Sequence, residues 1–181
     1  MRLRTPRLTA PTPDPGTRRA GMSGIDDPRL RLADESDLGA VVVLTEAAYR
    51  PYTALFGAPP IPVTEDYRPR VAAGEVWLLE NTGLLAGLIV LEEEADHLMI
   101  FSVAVAPEFQ GKGLGRTLLR FADDQAGKAG YSEIRLYTNA RMERNIALYK
   151  AFGYREVGRR PNPVRPGWTV VDMAKMRNPV D

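Results

Sequence analysis

A glycine-rich turn joins an apolar run to a helix-spaced run, and it restricts this chain more than any other feature. The run Met99–Val105 passes through Ala106 and Pro107 into Gln110-Gly111-Lys112-Gly113-Leu114-Gly115-Arg116, and Thr117–Ala126 follows with helical spacing. Glycines let a backbone come close to a ligand. At a helix N-terminus several N–H groups lack partners, and the helix dipole favours negative charge. Lys112 and Arg116 add formal positive charge. The pattern predicts a phosphorylated ligand on this turn.

A nucleoside-triphosphate loop needs G-x-x-x-x-G-K-[ST]. Here Lys112 falls between the first two glycines, and no Ser or Thr stands where magnesium needs one. A dinucleotide fingerprint needs G-x-G-x-x-G. Gly111 and Gly113 fit it, Arg116 takes the third glycine's place, and Glu133 lies downstream at a loose ribose-binding spacing. A plain turn needs neither alternating glycines nor flanking cations.

Three stretches read together narrow the ligand. They are Val103-Ala104-Val105-Ala106-Pro107, then Gln110-x-x-Gly113-x-Gly115, then Asn145-x-x-x-Tyr149-x-x-x-Gly153-Tyr154. In this order the chain resembles the GNAT superfamily of acyl-CoA-dependent N-acyltransferases, from about Leu98 to Tyr154. The element order extends the resemblance from Leu30 to Met176. It implies a GNAT fold of α/β (α+β) class, with a mixed, mostly antiparallel sheet of six to seven strands and helices on both faces. It also implies acetyl-CoA as acyl donor and a small-molecule or peptide amine as acceptor, with no metal, and it leaves a homodimer open. Residues 25–178 are expected to form one such domain.

The resemblance assigns roles residue by residue. Amides of Gln110, Gly111, Lys112, Gly113, Leu114, Gly115 and Arg116 hold the CoA pyrophosphate. The backbone of Val103, Ala104 and Val105 pairs with the pantetheine arm like an added strand, because the edge of a splayed strand has unpaired N–H and C=O groups. The first of these amides is also the oxyanion donor. Asn145 bonds the pantetheine side. Tyr149 is the general acid for the leaving thiolate, since phenol and thiol have neighbouring reference pKa values. Asn145 and Tyr149 are four residues apart, so they share a helix face. Tyr149 is otherwise an ordinary half-buried aromatic.

Tyr49, Tyr52, Phe56 and Tyr67 are expected to wall the acceptor site, with Tyr137 reaching it from the sheet. Aromatic walls stack on an amine's carbon frame or bind it before deprotonation. Asn139 ends a strand and reads equally as an acceptor contact or a turn cap. The general base stays open. Many members of the family carry Glu or His near the middle of the strand before the turn, where this chain has Met99, Ile100 and Phe101. Asp96, His97 and the run Glu92–Glu94 lie nearby; a water relay or a low-pKa amine is the alternative. Direct attack by the amine is expected, because the chain has no cysteine and shows no Ser–His pairing. Two other readings remain, a CoA-binding module without catalysis and a nucleotide-phosphate binding protein.

Composition removes other classes. The 24 Lys and Arg nearly cancel the 23 Asp and Glu, so no basic field points to nucleic acid. Without cysteine there are no disulfides and no thiolate metal sites, and His97 is the sole histidine. No apolar run has membrane-spanning length. A cytoplasmic protein is expected. Residues 1–24 carry five arginines and one acid, Asp14, among Pro, Thr and Gly. Such a composition predicts a disordered basic tail.

Along the rest, Arg29–Leu32 alternates as a strand, and Asp34–Asp37 carries helix-capping residues. Helical spacing over Leu38–Tyr49 is expected to end before Pro51, with a short helix at Tyr52–Phe56, a proline-rich loop at Gly57–Val63 and a helix within Thr64–Ala73. Glu75–Glu80 and Leu84–Glu92 read as a hairpin whose second strand is central. Leu98–Val105, Glu133–Thr138, Tyr154–Val157 and Thr169–Met176 read as further strands, and Met142–Phe152 as a helix stopped by Gly153.

Overall fold

The structure is a computed structural model that describes residues 28–177. The expected tail at residues 1–24 and both ends of the expected domain lie outside the described residues. Seven strands form one sheet in the order β1-β2-β3-β4-β5-β7-β6. They are β1 (Arg29–Leu32), β2 (Val76–Asn81), β3 (Leu84–Glu93), β4 (Leu98–Val105), β5 (Glu133–Asn139), β6 (Arg155–Pro161) and β7 (Thr169–Met176). Only β4 and β5 pair in parallel. The other neighbours are antiparallel. This is the expected mixed sheet.

Among the described residues, five α-helices complete the order beside two short 3-10 helices (Glu35–Asp37 and Pro107–Phe109): α1 (Leu38–Phe56), α2 (Ile61–Thr64), α3 (Tyr67–Ala73), α4 (Leu114–Ala129) and α5 (Glu143–Ala151). The entry to α1 is a capping box in which Asp34 accepts from Ser36 N–H and Asp37 accepts from Asp34 N–H. α1 then corrects one expectation. It runs through Pro51 without a break and ends at left-handed Gly57. Proline removes one backbone bond and crowds the preceding turn. Here burial of Val41, Leu44 and Tyr49 along the helix outweighs that loss. The expected loop Gly57–Val63 likewise contains the first residues of α2.

β3 lies between β2 and β4, and Leu88 to Leu91 have almost no exposure. Trp77 of β2 meets Phe121 of α4, with ring centroids 4.7 Å apart. Gly87 belongs to the same face, since a β-carbon there would lie 3.3 Å from Leu118. That carbon would also stand 2.8 Å from the Ala104 carbonyl oxygen. Backbone cannot yield as a flexible side chain does. Gly87→Ala should therefore destabilise the fold by about 1–3 kcal/mol, read as a lowered denaturation midpoint with an unchanged slope. α1 packs on the opposite face, where Tyr49 Oη lies 3.2 Å from Ser102 Oγ on β4. No described helix is long and apolar enough to cross a membrane.

Candidate active site

β4 and β5 pair only from Leu98↔Ile134 to Ile100↔Leu136. Beyond Ile100 they diverge, and the gap is the site. The divergence coincides with a bulge: Leu91 pairs with Ile100 and Val90 with Ser102, so Phe101 has no partner on β3. After the bulge the strand keeps its alternation. Ala106 N–H donates to the Ala86 carbonyl, so Ala104 and Ser102 face β3 with their backbone groups. Val103 and Val105 turn theirs into the gap. Their carbonyls accept from Tyr49 Oη at 3.3 Å and Gln110 Nε2 at 3.0 Å respectively. Among the described residues, their N–H groups have no backbone partner across the gap.

The glycine turn lies at the end of β4. Gly111 and Gly113 are left-handed, with φ of 76° and 83°, and Gly113 is the N-cap of α4. Non-glycine residues adopt this region only at a cost. Among the described residues, the N–H groups of Gly111 through Gly115 donate to no backbone carbonyl, whereas Arg116 and Thr117 both donate to Gly113. A β-carbon on Gly111 or Gly113 would meet nothing within 4 Å. The turn thus presents unpartnered donors to an open cleft of about 1750 Å³, with Arg116, Arg141 and Arg144 on its wall. Those donors and cations fit a pyrophosphate. Lys112 does not line the cleft; its ammonium lies 5.1 Å from the centre of the Phe109 ring.

α5 closes the gap from the side. Tyr52 Oη donates to Asn145 Oδ1 at 2.9 Å, which leaves the Asn145 amide N–H groups for the cleft. Tyr149 lines both the cleft and a second recess beyond it. Its ring is buried, and its hydroxyl has no hydrogen-bond partner among the described residues. Burial raises its pKa well above the ordinary phenol value, and neighbouring Tyr49 and Tyr52 add to the rise. The phenol therefore keeps its proton throughout the physiological range.

The recess, together with the open solvent at its mouth, spans about 650 Å³. Tyr49, Phe56, Tyr137 and Asn139 line it. Tyr52 instead lines the cofactor cleft and orients Asn145. Tyr67 lines neither cavity; it is a buried support whose hydroxyl donates to the Pro62 carbonyl at 2.9 Å. Asn139 Oδ1 accepts from Arg141 N–H at 2.9 Å, so it caps the turn into α5 while facing the recess. Trp168 was not foreseen. It stands in the loop before β7, its ring 4.7 Å from that of Phe56. A tryptophan within a Pro/Gly-rich loop, Arg165-Pro166-Gly167-Trp168, was the available signal, because loops on a rigid scaffold carry binding residues disproportionately.

Among the described residues, no carboxylate or imidazole lines the recess. His97 is buried at the far end of β4, its Nδ1 2.6 Å from Asp96, and it lines neither cavity. Glu92 is held by Arg70, which also binds Glu65 at 2.6 Å and Glu75 at 2.9 Å. The Arg70 guanidinium lies 3.7 Å from the centre of the Phe101 ring. Burial raises the pKa of Glu75, and Arg70 opposes that rise. Arg70→Met should leave three mutually repelling carboxylates. A loss on the order of 2–4 kcal/mol is expected, less than for a fully buried pair because each carboxylate keeps some solvent. The deficit should be full at about pH 7 and smaller at about pH 4, where Glu75, already raised by burial, has taken up its proton. Paired thermal melts at both pH values test this. An equal deficit at each would remove charge from the explanation.

The geometry can be compared with known proteins. The model for the Acetyltransferase (GNAT) family matches residues 41–154. The ribosomal protein bS18 alanine N-acetyltransferase of Escherichia coli K12 is 33% identical over 84 residues, covering 46% of this chain and 57% of that protein. N-acetyltransferase 8F1 of Mus musculus is 28% identical over 92 residues, covering 45% and 40%. The chain thus spans about half the length of the curated relatives it matches. The crystal structure of the E. coli S18 enzyme aligns with a TM-score of 0.65 at 25% identity, over 83% of this chain and 94% of that one. Naa50 of Arabidopsis thaliana, bound to the bisubstrate analogue CoA-Ac-MVNAL, aligns with a TM-score of 0.66 at 23% identity, over 83% and 99%.

Proposed function

The chain belongs to the GNAT acetyltransferase family, and from that premise we propose that it transfers the acetyl group of acetyl-CoA to a primary amine by direct attack. One observation carries this reading: the backbone of Val103 and Val105 faces a gap bounded by the glycine turn on one side and Tyr149 on the other. Acetyl-CoA supplies an activated thioester when bound. The chain's own groups account for the rest. The turn from Gln110 to Arg116 anchors the pyrophosphate away from the reacting carbon. Val103 N–H and Val105 N–H bind the pantetheine arm, and Val103 N–H donates to the negative charge that develops on the thioester oxygen. Asn145 fixes the arm from α5. Tyr149 donates its O–H to the departing sulfur.

The acceptor must shed a proton before it attacks. With no base on the recess wall, the neutral fraction of the amine sets the rate. At pH 7 about a tenth of α-amines are neutral, against about one in two thousand lysine side chains. We therefore read the acceptor as an α-amine, such as a peptide N-terminus. The names of the E. coli and A. thaliana relatives, an alanine N-acetyltransferase and a protein bound to an acetylated peptide analogue, support that reading.

Thiol release from acetyl-CoA, measured against a library of peptides and amines, tests the proposal. Release only with amines bearing a low pKa is expected. No release with any acceptor, together with tight CoA binding, would favour the catalytically silent module. Competition by ATP or NAD as strong as by CoA would favour a nucleotide-phosphate binder. Binding itself should raise the melting temperature. A hundredfold excess of acetyl-CoA over Kd adds about 2.7 kcal/mol, which for this size is several degrees at roughly 2–4 °C per kcal/mol. No shift at millimolar acetyl-CoA would remove it as the donor.

A further inference from the structure

The acceptor recess combines two properties that together name a substrate class. Among the described residues, none that lines it is Asp, Glu, Lys, Arg or His. Yet four of the six aromatic rings lining it, all but Tyr49 and Tyr149, already carry a guanidinium. Arg70 lies 3.7 Å from the Phe101 ring centre, Arg141 5.2 Å from Phe56, Arg165 5.6 Å from Trp168, and Arg160 5.9 Å from Tyr137.

These cations are all engaged. Arg70 is bound by Glu65, Glu75 and Glu92, and Arg160 by Asp172. Arg141 donates to the Leu55 carbonyl and Arg165 to the Pro59 carbonyl, each at 2.9 Å. A ring whose negative face is used by one cation attracts a second one weakly. The neighbouring carboxylates Glu65, Glu75, Glu92 and Asp172 are bound by their own arginines and do not line the recess. A positively charged substituent would therefore be stripped of water and meet no opposite charge on the lining. An apolar one would find Phe56, Ile61, Phe101 and Trp168.

From this we infer that the recess selects an acceptor whose amine is flanked by a large, uncharged, apolar substituent, and that Trp168, packed on Phe56, is the residue that sets this choice. The inference rests on the N-acetyltransferase reading. For a peptide acceptor it means an N-terminal residue such as Leu or Phe, and exclusion of Lys or Arg at that position. Trp168 does not line the cofactor cleft, so its effect should fall on the acceptor alone.

Two measurements test it. Peptides identical except for the first residue (Phe, Leu, Ala or Lys) are compared by kcat/KM with saturating acetyl-CoA. Phe-first and Leu-first peptides should exceed Lys-first by about a hundredfold. Trp168→Ala should lower kcat/KM for Phe-first at least about tenfold further than for Ala-first, with acetyl-CoA affinity unchanged. Lys-first peptides turned over as well as Leu-first, or a Trp168→Ala enzyme with the same selectivity, would overturn the inference. The second measurement needs no turnover. Leucinamide and lysinamide are titrated into the CoA-saturated protein while tryptophan emission is followed. Quenching by leucinamide only, lost in Trp168→Phe, is expected. If that selectivity appears while no peptide is acetylated, the inference stands and the activity reading falls. Equal quenching by lysinamide overturns the inference whatever the activity.

Discussion

Gly113→Glu should abolish acetyl-CoA binding in a protein that still folds. Two effects act at once. A residue with a β-carbon at φ of 83° pays about 1–2 kcal/mol of backbone strain. This lowers the melting temperature by roughly 2–8 °C. The larger effect is on the ligand. The side chain points where nothing lies within 4 Å, on the open side of a turn that lines the cleft. A carboxylate there stands among the N–H donors of Gly111 to Gly115, at the N-terminus of α4. It would satisfy those donors itself and repel an incoming pyrophosphate. Gly113→Ala separates the causes, because it carries the same strain without the charge. Calorimetric titration should show weakened binding for Ala and none for Glu, with similar melting temperatures for both. Full affinity in a folded Gly113→Glu protein would mean that the turn serves a different ligand or none.

That prediction was already within reach of the sequence, and the reason is local. Glycines at Gly111 and Gly113 encode left-handed backbone by themselves, so a turn before a helix is visible without tertiary information. The same holds for the capping box at Asp34–Asp37 and for β3, apolar on both faces. What escaped was set by packing between distant segments. Pro51 read as a helix end, because proline's local cost is visible and the burial that overrides it is not. Tyr49 and Tyr52 on α1 and Tyr67 on α3 look alike in sequence. One bonds the β4 backbone, one orients Asn145, and one only supports α2. Nothing in their spacing distinguishes those outcomes. Trp168 is far from all of them in sequence and meets Phe56 only because β7 pairs with β5 beside the site. The chain's aromatic inventory announced an apolar site, and the topology decided which rings form its wall.

Tyr149→Phe carries the largest expected effect on turnover. The ring packs against Tyr154, with centroids 6.1 Å apart, and phenylalanine keeps that contact. Only the hydroxyl is lost, and it supports no other group among the described residues. The fold and the Kd for acetyl-CoA should therefore stay near wild type. kcat should fall by about 10²–10⁴, the usual worth of positioned acid catalysis, with little change in KM for acetyl-CoA, since the lost bond matters most as charge builds on the sulfur. Burial sharpens the role beyond what reference pKa values suggest. A phenol held well above its ordinary pKa is a weaker acid than the free group, yet it is never ionised in the working range. It acts first as a fixed hydrogen-bond donor, and it surrenders its proton only to a thiolate whose own basicity the same dry surroundings have raised. Two consequences separate this from a packing role. The penalty should shrink for acyl donors whose thiol is more acidic. The wild-type pH–rate profile should show no alkaline limb from this tyrosine below about pH 10, because its proton is still in place there. Unchanged kcat in Tyr149→Phe, under conditions where chemistry limits the rate, would return the residue to the core and leave solvent or the attacking amine to protonate the sulfur.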